Sequence, residues 1–324
     1  MKGAGNFVKN SAPWLKELKG IEKLDLQDPF IRLVTGGFLA YAAGDAFGVP
    51  FEFAPRRKVE EITLLEKKDG WPLGGVSDDT LLSLLTIQAL KENDNSVAAV
   101  TFLSLLRSQI PNLRGLGPTT RAALGLPVKE SERESVGNTN GAMMRTALVG
   151  LAFKSDRAKE RRDCVTALAK VTHTRQSAID CALALSAAMS LASEAEGKAP
   201  LSQLNHAVIQ ELKEIDSELM ESFIDFNPVS WSSPNEGVPL NPAITLKAVL
   251  FTIAKASDCA SAYSIACSLG GDTDTVAALS GSLYCVWQDA FYELIEIPWL
   301  QEIDWAELET LSDSVQVINA KRNR

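Results

Sequence analysis

Histidine is nearly missing from this 324-residue chain, with His173 and His206 the whole supply. A zinc or iron centre built on imidazoles is therefore not expected. Cysteine is sparse and unpatterned: Cys164, Cys181, Cys259, Cys267 and Cys285 are an odd number without a C-x-x-C pair. Neither a disulfide framework nor a zinc ribbon follows from that spacing. No apolar run reaches the roughly 18 residues of a membrane span. The N-terminus lacks the apolar core of a secretory signal, so a reducing cytoplasm is the expected setting. Positive charge is in deficit too: the net charge is −9 and the pI is near 5.0, which argues against nucleic acid as a partner.

What the chain has is helical periodicity. Hydrophobic residues make up 46% and charged residues 23%, enough to bury a large core unaided. Apolar spacing predicts helices over 28–44, 80–93, 97–108, 119–124, 142–153, 156–171, 175–196, 201–220, 242–255, 259–268, 275–295 and 306–320. Strand-like alternation is scarce, so the fold is read as all-α. Segments 182–192 and 277–286 are alanine-rich and apolar around most of their circumference, which suits the inside of a bundle. Residues 45–76, 109–141 and 226–242 lack periodicity, and long loops in a compact domain are usually functional.

No low-complexity linker divides the chain, and residues 28–324 are read as one catalytic domain. Residues 1–27 stand apart as an N-terminal arm. Trp14, Leu15, Leu18 and Ile21 line one side of a short helix there, with Lys16, Glu17, Lys19 and Lys23 elsewhere around it. The arm either folds back on its own bundle or offers a helix face to a partner protein.

Two acidic clusters lie almost two hundred residues apart: Ser77-Asp78-Asp79-Thr80 and Gly270-Gly271-Asp272-Thr273-Asp274-Thr275. Each directly precedes a long apolar run. Ser, Thr and Asp are ordinary N-caps, and either cluster alone is explained by capping. One cap needs one such residue, however, and both starts are doubled. Brought together, these carboxylates would repel by about 4 kcal/mol per pair at 4 Å and an effective dielectric near 20. A hard divalent cation removes that penalty through carboxylate, hydroxyl and water oxygens.

A third segment, Gly137-Asn138-Thr139-Asn140-Gly141-Ala142-Met143-Met144-Arg145, turns into a helix; alone it reads as a plain N-capped turn, and its free N–H groups also suit a phosphate. There Arg145 is read either as a bidentate phosphate ligand or as half of an intrahelical ion pair. Upstream, Gly44-Asp45-Ala46-Phe47-Gly48 is read as a helix breaking into a loop that displays Asp45 and Glu52.

The order of these motifs resembles the ADP-ribosylglycohydrolase family, which includes dinitrogenase-reductase-activating glycohydrolase and the ADP-ribosylhydrolases. Gly44-Asp45-Ala46-Phe47-Gly48 with Glu52 is similar to the family's G-D-A-x-G…E, and Ser77-Asp78-Asp79-Thr80 to its S/T-D-D-T. Gly117-Pro118-Thr119-Thr120-Arg121 resembles G-x-T-T-R, Asn140 to Arg145 resembles N-G-x-x-M-R, and Thr172-His173 its T-H. Gly270 to Thr275 is similar to G-G-D-T-D-T. Six motifs in order over residues 30–300 form a specific pattern.

The resemblance implies a single large orthogonal helical bundle with its metal site on inter-helix loops, holding two Mg²⁺ or Mn²⁺ ions below an ADP-ribose cleft. Ser77, Asp78, Asp79, Asp272, Asp274 and Thr275 would be metal ligands, and Glu52, Asp78 and Asp79 would carry catalysis. Asn140, Gly141, Met143, Ser268, Gly270 and Gly271 would contact substrate, with Trp231 a candidate to stack on adenine. The implied activity is removal of ADP-ribose from a modified protein side chain, arginine-linked. An alternative is an immunity protein that blocks a cognate ADP-ribosyltransferase through the arm. All-α isoprenoid synthases are a third reading, although Asp78-Asp79-Thr80-Leu81-Leu82 does not complete their D-D-x-x-D.

Overall fold

A computed structural model describes residues 12–195 and 200–324. Its α-helices are α1 (Pro29–Gly48), α2 (Asp78–Ala89), α3 (Asn95–Gln109), α4 (Pro118–Ala123), α5 (Gly141–Thr146), α6 (Ala158–Ala169) and α7 (Gln176–Ala192). There follow α8 (Leu201–Glu214), α9 (Met220–Ile224), α10 (Pro242–Lys255), α11 (Cys259–Ser268), α12 (Thr273–Gln288), α13 (Phe291–Leu294) and α14 (Leu311–Arg322). Among the described residues no β-strand occurs, and one isolated parallel bridge joins Val238 to Gly271. The fold is all-α.

Helix starts follow from local chemistry. Asp28 accepts hydrogen bonds from the Phe30 and Ile31 amides ahead of α1, with Pro29 at the first helical position. Asn241 and Pro242 repeat the device at α10. Both side chains satisfy amides that the first turn leaves without partners.

The centre of the core is the pairing of α1 with α12. A Cβ placed on Gly37 would lie 2.9 Å from Val286 Cγ2, one on Gly44 would lie 2.3 Å from the Ala277 carbonyl oxygen, and one on Gly48 would lie 2.4 Å from Asp274 Cα. Positions rise along α1 as they fall along α12, so the helices run antiparallel with their backbones almost touching. Glycine is required at Gly44 and Gly48 because the neighbouring atoms there are backbone, which cannot rotate away. Gly48→Ala is expected to cost about 3 kcal/mol or more in urea unfolding, since overpacking a rigid seam strains both helices. Gly117→Ala, where nothing lies within 4 Å, should cost less than about 1 kcal/mol.

Some elements differ from the periodicity reading. Helix α1 does not break at Gly44 but runs on to Gly48, because its glycines serve the seam rather than a turn. Asp45 is therefore buried inside a helix, not displayed on a loop. The stretch 142–153 is α5 followed by a 3₁₀ segment, Ala147–Ala152. The stretch 275–295 is cut at Asp289, whose φ of 48° reverses the chain before α13.

The described part of the arm lies against the domain. Trp14, Leu15 and Leu18 are buried, and the Trp14 ring stacks on Trp305 with centroids 4.7 Å apart. Lys19 pairs with Glu309 at 3.2 Å. Residues 1–11 fall outside the described residues. No helix is long and apolar enough to cross a membrane among the residues described.

Candidate active site

The two acidic clusters share one cleft of about 430 Å³. Its walls include Glu52, Asp78, Asp79, Asp272, Asp274 and Thr275, with Thr139, Asn140 and Gly141 beside them. A larger hollow of about 600 Å³ lies between α6, α7 and α8. Its buried carboxylate, Glu211, is already bonded to Arg161 and Arg162, so the chemistry points to the first cleft.

Helix α1 positions the first cluster from below. Asp45 accepts hydrogen bonds from the Ser77 amide at 3.0 Å, the Thr80 amide at 3.0 Å and the Thr80 hydroxyl at 2.6 Å. A carboxylate buried in α1 thus gathers the donors at the start of α2. Ser77 Oγ caps α2 by accepting from the Asp79 amide at 3.0 Å. Capping explains Ser77 but not its neighbours: buried Asp79 Oδ2 has no hydrogen-bond partner.

The second cluster sits at the start of α12. Asp272 occupies the N-cap position, yet its side chain makes no capping bond. Asn140 Nδ2 donates to its Oδ2 instead, and Thr275 Oγ1 to its Oδ1 at 3.3 Å. Carboxylate oxygens of Glu52, Asp272 and Asp274 all lie within 4.8 Å of one another. Glu52 comes from the chain just beyond α1, where its Oε2 accepts from Lys68 Nζ at 2.6 Å.

Charge at this density shifts acidity. Burial, then repulsion from Asp45, holds Asp79 well above the usual carboxylate range. Asp78 is raised likewise by burial and by Asp45 and Glu52, and Asp274 by burial and by Glu52 and Asp79. Burial lifts Asp272 to about 7 against the opposing Asn140 hydrogen bond. Buried carboxylates that repel each other, one oxygen of them orphaned, are the donor set that suits hard divalent cations. The residues present fit such ions.

Not every residue proposed from the sequence reaches the cleft. Met143 is wholly buried, and Met144 lines the wall in its place. Ser268 Oγ donates to the Ile265 carbonyl and lines no part of the cleft. Gly270 and Gly271 have φ values of 68° and 75°, and a Cβ on Gly271 would lie 2.1 Å from the Val238 carbonyl oxygen. Gly271 thus approaches the 226–242 loop and Gly270 the backbone of residues 54–56, and neither lines the cleft. Trp231 packs edge-on against Phe226 and Phe251, away from the site.

Arg145 is neither a phosphate ligand nor part of an ion pair. It is buried and donates to the Leu168 and Ala169 carbonyls that end α6 and to Thr172 Oγ1, under the Phe102 ring. Burial lowers its pKa to about 9. His173 is also buried, its Nδ1 2.8 Å from Thr172 Oγ1 and its Nε2 3.0 Å from Thr139 Oγ1. Burial and Arg145 push its pKa down to about 3, so the ring is neutral. It braces the Thr139–Gly141 turn from behind.

Sequence reasoning missed two residues. Phe53 is 65% exposed with φ of 56°, at the rim the cleft shares with a smaller hollow lined by Pro234 and Gly237. An aromatic directly after Glu52 was the available signal. Lys68, in a charged and aperiodic loop, gave none.

The family model described as ADP-ribosylglycohydrolase matches residues 26–324. An Escherichia coli (strain K12) relative, the uncharacterized protein YegU, is 29% identical over 184 residues, 50% of this chain and 54% of that protein. The match thus spans about half the length of that relative. Among solved structures, a chain of an "ADP-ribosylglycohydrolase-related protein complex" is similar with a TM-score of 0.67 at 26% identity. That similarity covers 90% of this chain and 98% of the other.

Proposed function

The chain belongs to the ADP-ribosylglycohydrolase family, and from that premise we propose that it hydrolyses the bond between C1 of the distal ribose and a modified protein side chain. The observation that carries this reading is the meeting of two remote acidic clusters in one cleft, with carboxylates that capping leaves unspent. Asp78, Asp79, Asp272 and Asp274, with the Ser77 and Thr275 hydroxyls, would hold two Mg²⁺ or Mn²⁺ ions. When bound, such ions supply positive charge that orients ribose hydroxyls and lowers the pKa of water.

The chain's own residues do the rest. Asn140 fixes the orientation of Asp272 by donating to it. The Thr139–Gly141 turn, braced by His173, faces the diphosphate side. Glu52, partly exposed at the mouth and beside Asp272 and Asp274, is placed to accept the proton of the attacking water. Positive charge builds on the ribose ring as the bond to C1 breaks.

Among arginine-, serine- and nucleic-acid-linked ADP-ribose conjugates, at least one protein-type linkage should release free ADP-ribose in Mg²⁺ or Mn²⁺ and not in excess chelator. Absence of release from every conjugate with either ion, or turnover of an allylic diphosphate instead, would refute the reading. The immunity alternative needs an apolar arm face free for a transferase. Trp14, Leu15 and Leu18 are packed on the protein's own core, which supports the hydrolase reading ahead of it.

A further inference from the structure

If the distal ribose lies over the buried carboxylates, as the proposed function requires, its acceptor sits at the mouth on the side away from the Thr139–Gly141 turn. Glu52, Phe53, Lys68 and Trp71 build that mouth. Lys68 Nζ lies 2.6 Å from Glu52 Oε2 and 5.0 Å from the Trp71 ring centroid. The Arg114 guanidinium lies over the same ring at 5.4 Å and is itself paired with Glu307. Trp71 already faces two cations, which leaves its π-system little attraction for a third.

The carboxylates at the rim are committed as well. Glu52 is bonded to Lys68, and Glu132 to Arg121. A guanidinium at this rim therefore meets, among the described residues, two carboxylates that already hold cations. Were Glu52 to turn inward to its acidic neighbours, the Lys68 ammonium would stand bare at the same place. The paired arrangement offers a cationic acceptor no net charge, and the turned one repels it.

Resting on the hydrolase reading, we propose that Lys68 selects an oxygen-linked acceptor, a modified hydroxyl side chain, over a guanidinium, and that it stabilises negative charge growing on the departing oxygen. This differs from the arginine-linked acceptor expected from the sequence. In the reaction the C1–O bond breaks with its electron pair passing to the acceptor oxygen. Water adds its oxygen to C1, and a proton from that water completes the acceptor hydroxyl, so only water is consumed. Lys68 acts as a fixed charge and donor. One of its N–H groups goes to Glu52, and no further hydrogen-bond partner of Nζ occurs among the described residues.

The test compares wild type, Lys68→Met and Lys68→Arg on a serine-linked peptide, an arginine-linked peptide and a nitrophenyl conjugate of ADP-ribose, whose leaving oxygen needs little help. Wild type should favour the serine-linked peptide. Lys68→Met should lower kcat on it by about 10²-fold, as loss of one donor to a developing oxyanion does. On the nitrophenyl conjugate the loss should be below about tenfold, Lys68→Arg should recover most of the rate, and affinity for ADP-ribose itself should not change.

Equal losses on the two oxygen-linked conjugates, or weakened ADP-ribose binding, would assign Lys68 a merely structural role and overturn the proposal. So would wild-type cleavage of the arginine-linked peptide as fast as the serine-linked one. Failure of wild type on all three conjugates would instead remove the hydrolase reading, and this inference with it.

Discussion

Raising the pH of the metal-free protein from about 5 to about 8 will lower its melting temperature, and adding Mg²⁺ or Mn²⁺ will restore it. Burial holds Asp78, Asp79 and Asp274 well above the usual carboxylate range, raises Asp45, and sets Asp272 at about 7. An unfolded aspartate titrates near ~3.9. The folded protein therefore binds these protons more tightly than the unfolded chain does. The stability gained is complete below about pH 4 and is lost as pH rises through the folded-state values, about 7 for Asp272.

Above that point like charges face one another without compensation. A cation that binds only the folded form adds about 2.7 kcal/mol at a concentration 100 times its Kd. Its effect should grow with pH, because it competes with protons for the same oxygens. Calorimetric scans across this range, in chelator and then in each ion, measure both trends. A melting temperature indifferent to pH and to both ions would end the case for a shared cation site.

Asp274→Asn and Asp78→Asn will each reduce ADP-ribose release by on the order of 10²-fold or more while the fold persists. Losing a mere outer partner of a metal ligand costs up to about 100-fold, so losing a ligand should cost at least that. Asparagine keeps the shape and removes the charge, so above about pH 7 the metal-free variants should melt no lower than wild type. Asp45→Ala should behave oppositely. Its carboxylate receives the Ser77 and Thr80 donors, and stranding them costs about 1–3 kcal/mol each. Wild-type turnover by Asp274→Asn would remove that residue from the ion site.

The acidic loops were legible because their message is local: hydroxyl and carboxylate residues were doubled where one cap suffices. Helix content was legible from spacing. Other features depend on contacts that spacing does not encode. Met143 and Met144 are adjacent, and about 100° of helix rotation decides which meets the cleft. Gly44 and Gly48 read as breakers when α1 is considered alone, and only the backbone of α12 reveals why they are glycine. Lys68 finds Glu52 across an aperiodic segment. Trp231 lay in the right loop, but Phe226 and Phe251 hold it elsewhere.

The α1–α12 seam also sets an order of events during synthesis. Thr273 Oγ1 bonds to the Gly48 carbonyl across 225 positions of sequence. An emerging chain therefore holds α1 without its antiparallel partner until most of the polypeptide has left the ribosome. Contacts of such long range form slowly and leave apolar surface open to misassociation meanwhile. A nascent chain stalled before residue 273 would own half of each structure at once: a glycine-lined groove with nothing in it, and an acidic pocket missing its second wall.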